Sequence, residues 1–363
     1  MKTIHPLFIL LLLYLFSSTF GFIIPSSLSA DELRDNSLRE RTKQGITIPI
    51  TGAHLNWYHG FHWISRNENL ILKIGGKFAL DTGDIDPNDS LDNAFPDLAG
   101  YETIIRTATL AASGRLFKSV DFKLEFDFAD SGDVQDNWIR FKPIPYLGLL
   151  QIGHFKEPFS LESLASINHR TFMENPLPTQ AFSPGRNMGL MLFNQALGNR
   201  VTWKVGAFYN TGSFSSVGNA KDKISDSNGY DITARIVGRP WYSTDGRQLL
   251  HLGLSYTYGF RDDDPRDSDD RIQIRTRPET RLTDDRLADT GQFIGSRINK
   301  INAELAAVVG PFSLQGEWYY DNVDTAGQDL AFWGYYLQGS AVLTGESRGY
   351  DTLRGIFTGI IPK

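Results

Sequence analysis

The feature that most constrains the fold is an alternation of apolar and polar residues that returns along most of the chain. The clearest case is VDFKLEFDFAD, residues 120–130, in which Val120 and Leu124 belong to the apolar set and Lys123 and Glu125 to the polar set. Successive side chains of a strand point to opposite faces of its sheet. The segment therefore predicts a strand with one apolar face and one wet face.

The same pattern returns in more than ten segments, and many of them carry Tyr, Trp or Phe near their ends. The segments lie at 60–66, 69–81, 104–117, 120–130, 137–142, 149–155, 188–193, 200–210, 230–241, 249–260, 298–309, 312–320 and 332–345. Tight turns are predicted at Lys118-Ser119 and Gly310-Pro311, and long connections at 82–101, 156–187, 211–229, 261–292 and 321–331. Short turns alternating with long loops are typical of a transmembrane antiparallel β-barrel. A soluble β-sandwich is the alternative, but the number of segments and their aromatic ends favour the barrel.

The N-terminus has the pattern of a secretory signal peptide. Lys2 precedes an apolar run over residues 6–22, and small residues follow up to Ala30. We expect cleavage after Ala30, with an uncleaved membrane anchor as the alternative. The sequence thus predicts a signal peptide over 1–30, a periplasmic lead over 31–59 and the barrel over 60–363.

Composition narrows the function classes. The chain has no Cys, which excludes thiol catalysis and Cys-ligated metals, and its net charge of −6 argues against a nucleic-acid partner. A barrel lipase would need a nucleophile and a base, but His154, His169 and His251 have no recognisable Ser partner in the sequence, so we expect no enzyme. We also expect no cofactor and no metal site. A structural barrel and a soluble sugar-binding sandwich remain as alternatives.

The long connection at 156–187 is too apolar for a solvated linker. It holds Phe159, Leu161, Phe172, Met173 and Phe182, and four prolines (Pro158, Pro176, Pro178 and Pro184) exclude a long helix or a central strand. We expect it to pack against another part of the chain and to be functional.

A second connection, 261–291, is dense in both charges. We expect a solvated external loop, with a divalent-cation site on its acidic cluster as the alternative, although no regular Ca²⁺-loop spacing is present.

Several separate segments resemble the phosphate-selective porin O and P family of Gram-negative outer membranes. The resemblance covers roughly 65–350 and is carried by LKIGGKF (72–78), ASGRLFKSVDFKLEFDFAD (112–130), IGHFKEPFSLESLAS with RTFMEN and AFSPGRNMG (152–189), GPFSLQGEWYY (310–320) and GYYLQGSAVLTGESRGYD (334–351). It implies a sixteen-stranded barrel that assembles as a homotrimer in outer-membrane lipid and passes inorganic anions such as phosphate. It also implies that the connection at 156–187 folds into the barrel and narrows it.

Within this family, basic residues bordering the pore would carry the selectivity, because Lys and Arg offset the cost of dehydrating an anion. Strand phase places six candidates on the wet face and the long connection adds three: Lys73, Lys77, Arg106, Lys123, Arg140, Lys142, Lys156, Arg170 and Arg186. The alternative for each is an ordinary wall residue paired with a carboxylate such as Asp121, Glu125 or Asp127.

Two departures from the family qualify the resemblance. The strand at 106–117 keeps Arg106 but has Thr107 and Thr109 where further arginines often stand, so a general small-solute porin without phosphate selectivity is the alternative function. The segments number about thirteen or fourteen, and the chain closes on GIFTGIIPK rather than an amphipathic strand. We therefore expect a chain that lacks the last strands of its barrel, with a barrel that closes on fewer strands and a degraded copy as the alternatives.

Overall fold

The computed structural model describes residues 46–50, 53–57, 60–96, 98–129, 133–145, 147–211, 229–261 and 271–362. The expected signal peptide over 1–30 lies outside the described residues. None of the helices in these ranges is long and apolar enough to cross a membrane.

The described chain is built almost entirely of strands. They are β1 (Ile46–Ile50), β2 (Ala53–Trp57), β3 (Phe61–Ser65), β4 (Leu70–Ile85), β5 (Gly100–Leu116), β6 (Val120–Asp127), β7 (Asp133–Val134), β8 (Asn137–Ile144), β9 (Gly148–Lys156), β10 (Arg186–Ala196), β11 (Val201–Tyr209), β12 (Tyr230–Tyr242), β13 (Gln248–Phe260), β14 (Arg275–Thr276), β15 (Ala288–Asp289), β16 (Arg297–Val309), β17 (Phe312–Asp324), β18 (Leu330–Ala341), β19 (Tyr350–Asp351) and β20 (Ile356–Phe357). The helices are short: α1 (Asp89–Ala94), α2 (Leu161–Leu164), a 3-10 turn (Ile167–His169) and α3 (Leu177–Phe182).

One large antiparallel sheet contains all of these strands except two hairpins, β14–β15 and β19–β20. Its order follows the chain, β1-β2-β3-β4-β5-β6-β8-β9-β10-β11-β12-β13-β16-β17-β18, with β7 paired to β6. In the described part of the chain β1 pairs only with β2 and β18 only with β17, so the sheet is not closed. The sheet also begins earlier than predicted, because β1 and β2 lie inside the stretch expected as a lead.

The two faces of the sheet have the polarity of a membrane barrel. On β6, Leu124 is 47% exposed whereas its neighbour Glu125 is 4% exposed. On β17, Trp318 is exposed and Glu317 is buried. An apolar face turned outward and a polar face turned inward is the arrangement that lipid on one side and water on the other require. The predicted alternation is therefore confirmed.

The connection over 157–185 lies on the polar face. Phe159, Leu161 and Phe182 are buried, as predicted, and Phe159 and Phe182 pack with Tyr319 of β17. Phe172 and Met173, which were also expected to pack, are more than half exposed. They lie in an irregular stretch between the 3-10 turn and α3, where no wall strand covers them.

The polar face curves around this connection. Ser160 contacts the hydroxyl of Tyr319 on β17 at 3.0 Å, while Glu174 pairs with Arg106 on β5 at 2.9 Å. Strands β5 and β17 are far apart in the order of the sheet. A connection that reaches both must be enclosed by the strands between them, as the inward-folded constriction loop predicts.

A second segment, 342–362, also packs on the polar face. Arg235 of β12 donates to the carbonyl oxygen of Gly355 at 2.8 Å, and Thr202 of β11 donates to that of Thr352 at 2.7 Å. Phe357 is buried beside α2. The hairpin β19–β20 therefore fills the polar side of the sheet at the end where the short turns lie.

Candidate functional site

A cavity of about 480 Å³ opens on the polar face at the end of the long connections. Its lining comes from the residues after α3, the start of β10, and the segment over 271–286. The two inward-folded connections therefore share one cavity.

The cavity is strongly basic. The guanidinium groups among its lining residues belong to Arg186, Arg261, Arg271, Arg275, Arg277 and Arg286. Lys300 adds a seventh cation, and Asp231 supplies the one carboxylate among the described lining residues. Asp231 is itself bound by Arg261 at 2.7 Å. Carboxylates outside the lining bind three more of these cations, since Arg186 pairs with Asp136, Arg277 with Asp284 and Lys300 with Asp321. An anion entering here still meets several guanidinium groups, which attract anions over cations.

Crowding of like charges is visible at Arg286. Burial lowers the pKa of its guanidinium, and the nearby Arg277 and Arg275 lower that pKa further. Arginine keeps its proton under all ordinary conditions. The lowered pKa therefore reflects burial first and the neighbouring guanidinium groups second, while Asp284 and Asp289 oppose the shift.

The segment over 271–277 owes its position to an alternation that is plain in RIQIRTR. Ile272 and Ile274 are buried, Ile274 against Phe159 and Tyr319, while Arg275 is exposed toward the cavity. The short pairing of β14 with β15 holds the segment. The prediction of a solvated external loop is wrong for this part, because two isoleucines at period two anchor it. The acidic cluster at 262–270 lies outside the described residues.

Three of the predicted pore-lining residues belong to one chain of ion pairs. Glu125 binds Lys77 at 3.0 Å and Lys123 at 2.7 Å. Asp136 binds Lys123 at 2.8 Å and Arg186 at 2.7 Å. Burial alone raises the pKa of Asp136, but Arg186 and Lys123 outweigh it and hold that pKa well below its usual range. The chain is thus charged throughout and fastens the start of β10 to β4 and β6.

Two further predicted residues meet at a second cluster. Arg106 of β5 pairs with Asp81 at 2.7 Å and with Glu174 at 2.9 Å. Arg170 approaches the other oxygen of Glu174 at 3.7 Å. Arg281, from the second inward connection, reaches the same carboxylate at 3.3 Å.

The remaining predicted residues are dispersed. Lys156 is held by the loop itself, since its Nζ donates to the carbonyl oxygen of Ser163. Arg140 lies over the ring of Trp138 at 4.6 Å and 3.7 Å from Asp121. Lys73 and Lys142 lie half-buried on β4 and β8, away from both clusters.

Sequence reasoning missed the basic residues of the second connection. Arg271, Arg275, Arg277 and Arg286 line the cavity, yet their high density suggested a solvated loop. The period-two pattern of Ile272 and Ile274 was the available signal, since alternation marks a segment with one packed side.

The constriction loop is fixed to the wall by a buried polar network. Glu317 of β17 accepts the backbone N–H groups of Leu161 and Glu162. The carboxylate of Glu162 in turn accepts from Gln315 at 2.7 Å, and Gln315 accepts from Arg348 at 2.9 Å. The network therefore connects the constriction loop, strand β17 and the C-terminal segment over 342–362, and it holds these three parts in fixed positions.

A family model and one named relative point to the same family. The family model for phosphate-selective porin O and P matches residues 72–362. An uncharacterized protein of Caulobacter vibrioides is 25% identical over 285 residues, which cover 77% of this chain and 55% of the relative. Porin O of Pseudomonas aeruginosa is 24% identical over 331 residues, which cover 84% of this chain and 71% of that protein. The chain thus spans about half the length of the Caulobacter relative.

Solved structures show more distant likeness. A loop L8 deletion mutant of OmpT, an outer membrane protein of Vibrio cholerae, is 11% identical with a TM-score of 0.45, over 76% of this chain and 78% of that one. In-vitro folded OmpT in its trimer form is 10% identical with a TM-score of 0.34, over 81% and 95% of the two chains.

Proposed function

The chain belongs to the phosphate-selective porin O and P family of β-barrel porins, and from this premise we propose that it is an outer-membrane channel for the passive diffusion of anions, phosphate among them. The observation that carries the proposal is the basic cavity beside the constriction loop, whose described lining brings together six arginines and Lys300. Several weak cationic sites in succession let an anion enter and leave, which a channel requires.

Location and assembly are part of the same proposal. The exposed apolar wall suits lipid contact, the expected signal peptide would carry the chain across the inner membrane, and the family resemblance favours a homotrimer. Membrane fractionation and crosslinking of the native protein test both.

A second candidate function is a general small-solute porin without phosphate preference. It is favoured by the charge balance on the wall, where Lys77, Lys123 and Arg186 are each bound by a carboxylate. It is also favoured by Thr107 and Thr109 beside Arg106. Paired cations attract a passing anion less than unpaired ones do.

Planar-bilayer recording separates these functions. The protein is inserted into a lipid bilayer, its reversal potential is measured under a KCl gradient, and inorganic phosphate is then added. We expect discrete anion-selective conductance steps that phosphate reduces. Anion-selective steps without block by phosphate would favour the general porin, and absence of conductance from a folded, inserted barrel would overturn the channel and favour a structural barrel.

A further inference from the structure

Three arginines from three segments converge on one carboxylate, that of Glu174. Arg106 Nη2 from β5 lies 2.9 Å from Oε2, and Arg281 Nε from the second inward connection lies 3.3 Å from the same oxygen. Arg170 Nη1, four residues before Glu174, lies 3.7 Å from Oε1. The cluster therefore joins the wall to both inward connections through a single negative group.

The cluster is buried on one side and open on the other. The side chains of Arg106, Glu174 and Arg170 are 3%, 5% and 9% exposed, whereas that of Arg281 is 49% exposed. Solutes can therefore reach the cluster past Arg281. Its inner part lies where water screens charge poorly.

Charges of both signs meet in the cluster. Three guanidinium groups face Glu174 and Asp81, the second of which binds Arg106 at 2.7 Å, and the carboxylate of Glu162 also acts on Arg170. Burial by itself raises the pKa of Glu174, but the N–H of Asn175 and the guanidinium groups of Arg106 and Arg281 outweigh it and lower that pKa. Glu174 is therefore an anion held by guanidinium groups.

Hydrogen-bond donors remain unused after Glu174 is bound. The Nε atoms of Arg106 and Arg170 are buried and have no hydrogen-bond partner among the described residues. A buried donor without an acceptor is unfavourable, more so when it is charged. A carboxylate offers two oxygens in one plane, whereas a tetrahedral oxyanion offers four that point in different directions. Such an anion would satisfy more of these donors than Glu174 does.

The backbone around Glu174 can release it. Residues 170–175 form neither helix nor strand, and Phe172 and Met173 within them are 59% and 51% exposed. Withdrawing the side chain would therefore disturb little packing.

We propose that Arg106, Arg170 and Arg281 form a binding site for a tetrahedral oxyanion such as phosphate, and that Glu174 occupies this site as a tethered competitor which the permeating anion displaces. The inference rests on the proposed function and adds the residue that tunes it. A tethered group competes at a high effective concentration, so it weakens the site without removing any arginine. Weak binding is what allows a permeating ion to leave.

The test is phosphate block of chloride current in planar bilayers, with wild-type protein and the variant Glu174→Gln. Removing the competing charge should lower the half-blocking phosphate concentration about tenfold or more, which is the change that losing one charged competitor gives. Glu174→Asp keeps the charge and should shift the half-blocking phosphate concentration much less. Glu102→Gln removes the same charge from an exposed carboxylate of β5 and should leave it unchanged.

A second variant keeps the test decisive if Glu174→Gln does not fold. Arg281 is half exposed, so Arg281→Gln should fold, and it should raise the half-blocking concentration several-fold. Heat-modifiable mobility in gels confirms folding of each protein before recording.

The outcomes separate this inference from the proposed function. If phosphate blocks the wild type but Glu174→Gln is blocked equally or less, displacement is overturned and the channel function stands. If phosphate blocks only Glu174→Gln, the tethered competitor stands and phosphate transport by the wild type does not. If phosphate blocks neither protein, displacement and the role of phosphate as permeating anion are both overturned, and the remaining chloride current assigns the channel to the general porin.

Discussion

Glu317 on β17 accepts the backbone N–H of Leu161 at 3.0 Å, joining the barrel wall to the first turn of the helix in the constriction loop. The same carboxylate accepts the N–H of Glu162 at 2.9 Å and the hydroxyl of Tyr336 at 2.7 Å. The first N–H groups of a helix have no partner within it. A wall residue more than 150 positions later in the chain thus supplies the acceptor that the loop lacks.

Replacing this acceptor should loosen the loop. Glu317→Ala leaves two buried N–H groups unsatisfied, which costs about 1–3 kcal/mol each in the free energy of unfolding. We expect a lower thermal transition in gel-shift assays and a larger, noisier open-channel current. Tyr336→Phe removes one donor but keeps the acceptor, so its effect should be smaller. Equal transitions for Glu317→Ala and wild type would show that the loop is held by apolar packing alone.

The C-terminal segment should detach when Arg235 is changed. Arg235 binds both oxygens of Glu304, at 2.8 and 2.7 Å, and also the carbonyl oxygen of Gly355. Removing one partner of a buried ion pair costs about 3–5 kcal/mol. Arg235→Ala should therefore lower the thermal transition and expose 342–362 to protease. Arg354→Lys, at a more exposed position, is the matched control and should do neither.

Charge reversal in the second inward connection should lower anion selectivity. Arg275 is exposed and lines the basic cavity. Arg275→Glu places a negative charge where anions gather, so we expect the chloride-to-potassium permeability ratio to fall several-fold, most clearly at low salt where screening is weak. Arg297→Glu changes an exposed arginine that does not line the cavity and should have a small effect. Equal reversal potentials for the Arg275 variant and wild type would place the selectivity elsewhere.

Stability should fall as pH rises, through Glu157. Burial, with the neighbouring Asp231, raises the pKa of Glu157 to about 8, while hydrogen bonds from Thr233 and Asn187 oppose the rise. A folded-state pKa above the ordinary value favours the protonated acid in the folded protein, so this stability is complete below about pH 4.5 and is lost as pH passes through the raised pKa. We expect the thermal transition to decline between about pH 5 and pH 8, by roughly the linkage slope of one proton, and to level off above pH 8.

The control for this pH dependence is Glu157→Gln, which stays neutral and keeps an acceptor for Thr233. Its thermal transition should change less over the same range and exceed that of the wild type at pH 9. A decline of equal slope in both proteins would assign the effect to another group.

The sequence predicts the strands of the barrel wall better than it predicts the contacts of the candidate site. Alternation as strict as that around Leu124 and Glu125 requires a strand with one apolar and one polar face, and the structure confirms that strand. The apolar content of 157–185 also predicted correctly that Phe159 would be buried on another element. Both inferences depend only on residues close together in the chain.

The contacts of the site depend on register and curvature, which local patterns do not encode. Arg281 and Glu174 are 107 positions apart, and the sequence around neither residue indicates that the two are in contact. The alternation in RIQIRTR indicated a segment with one packed side, but its high charge density favoured a solvent-exposed loop. The exposure of Phe172 depends on how the connection folds, which no local pattern shows.

The barrel strands and the cavity's arginines belong to largely different parts of the chain, which affects how such a chain can be engineered. The strands that contact lipid contribute few of the cavity's arginines, whereas the short hairpin segment β14–β15 and its flanks contribute Arg271, Arg275, Arg277 and Arg286. If these arginines set the solute preference, as proposed, part of that preference resides in a stretch of about twenty residues outside the strands of the large sheet. Transplanting that stretch between homologous barrels should transfer this part of the preference, while the contribution of Arg106 and Arg170 stays with the host barrel.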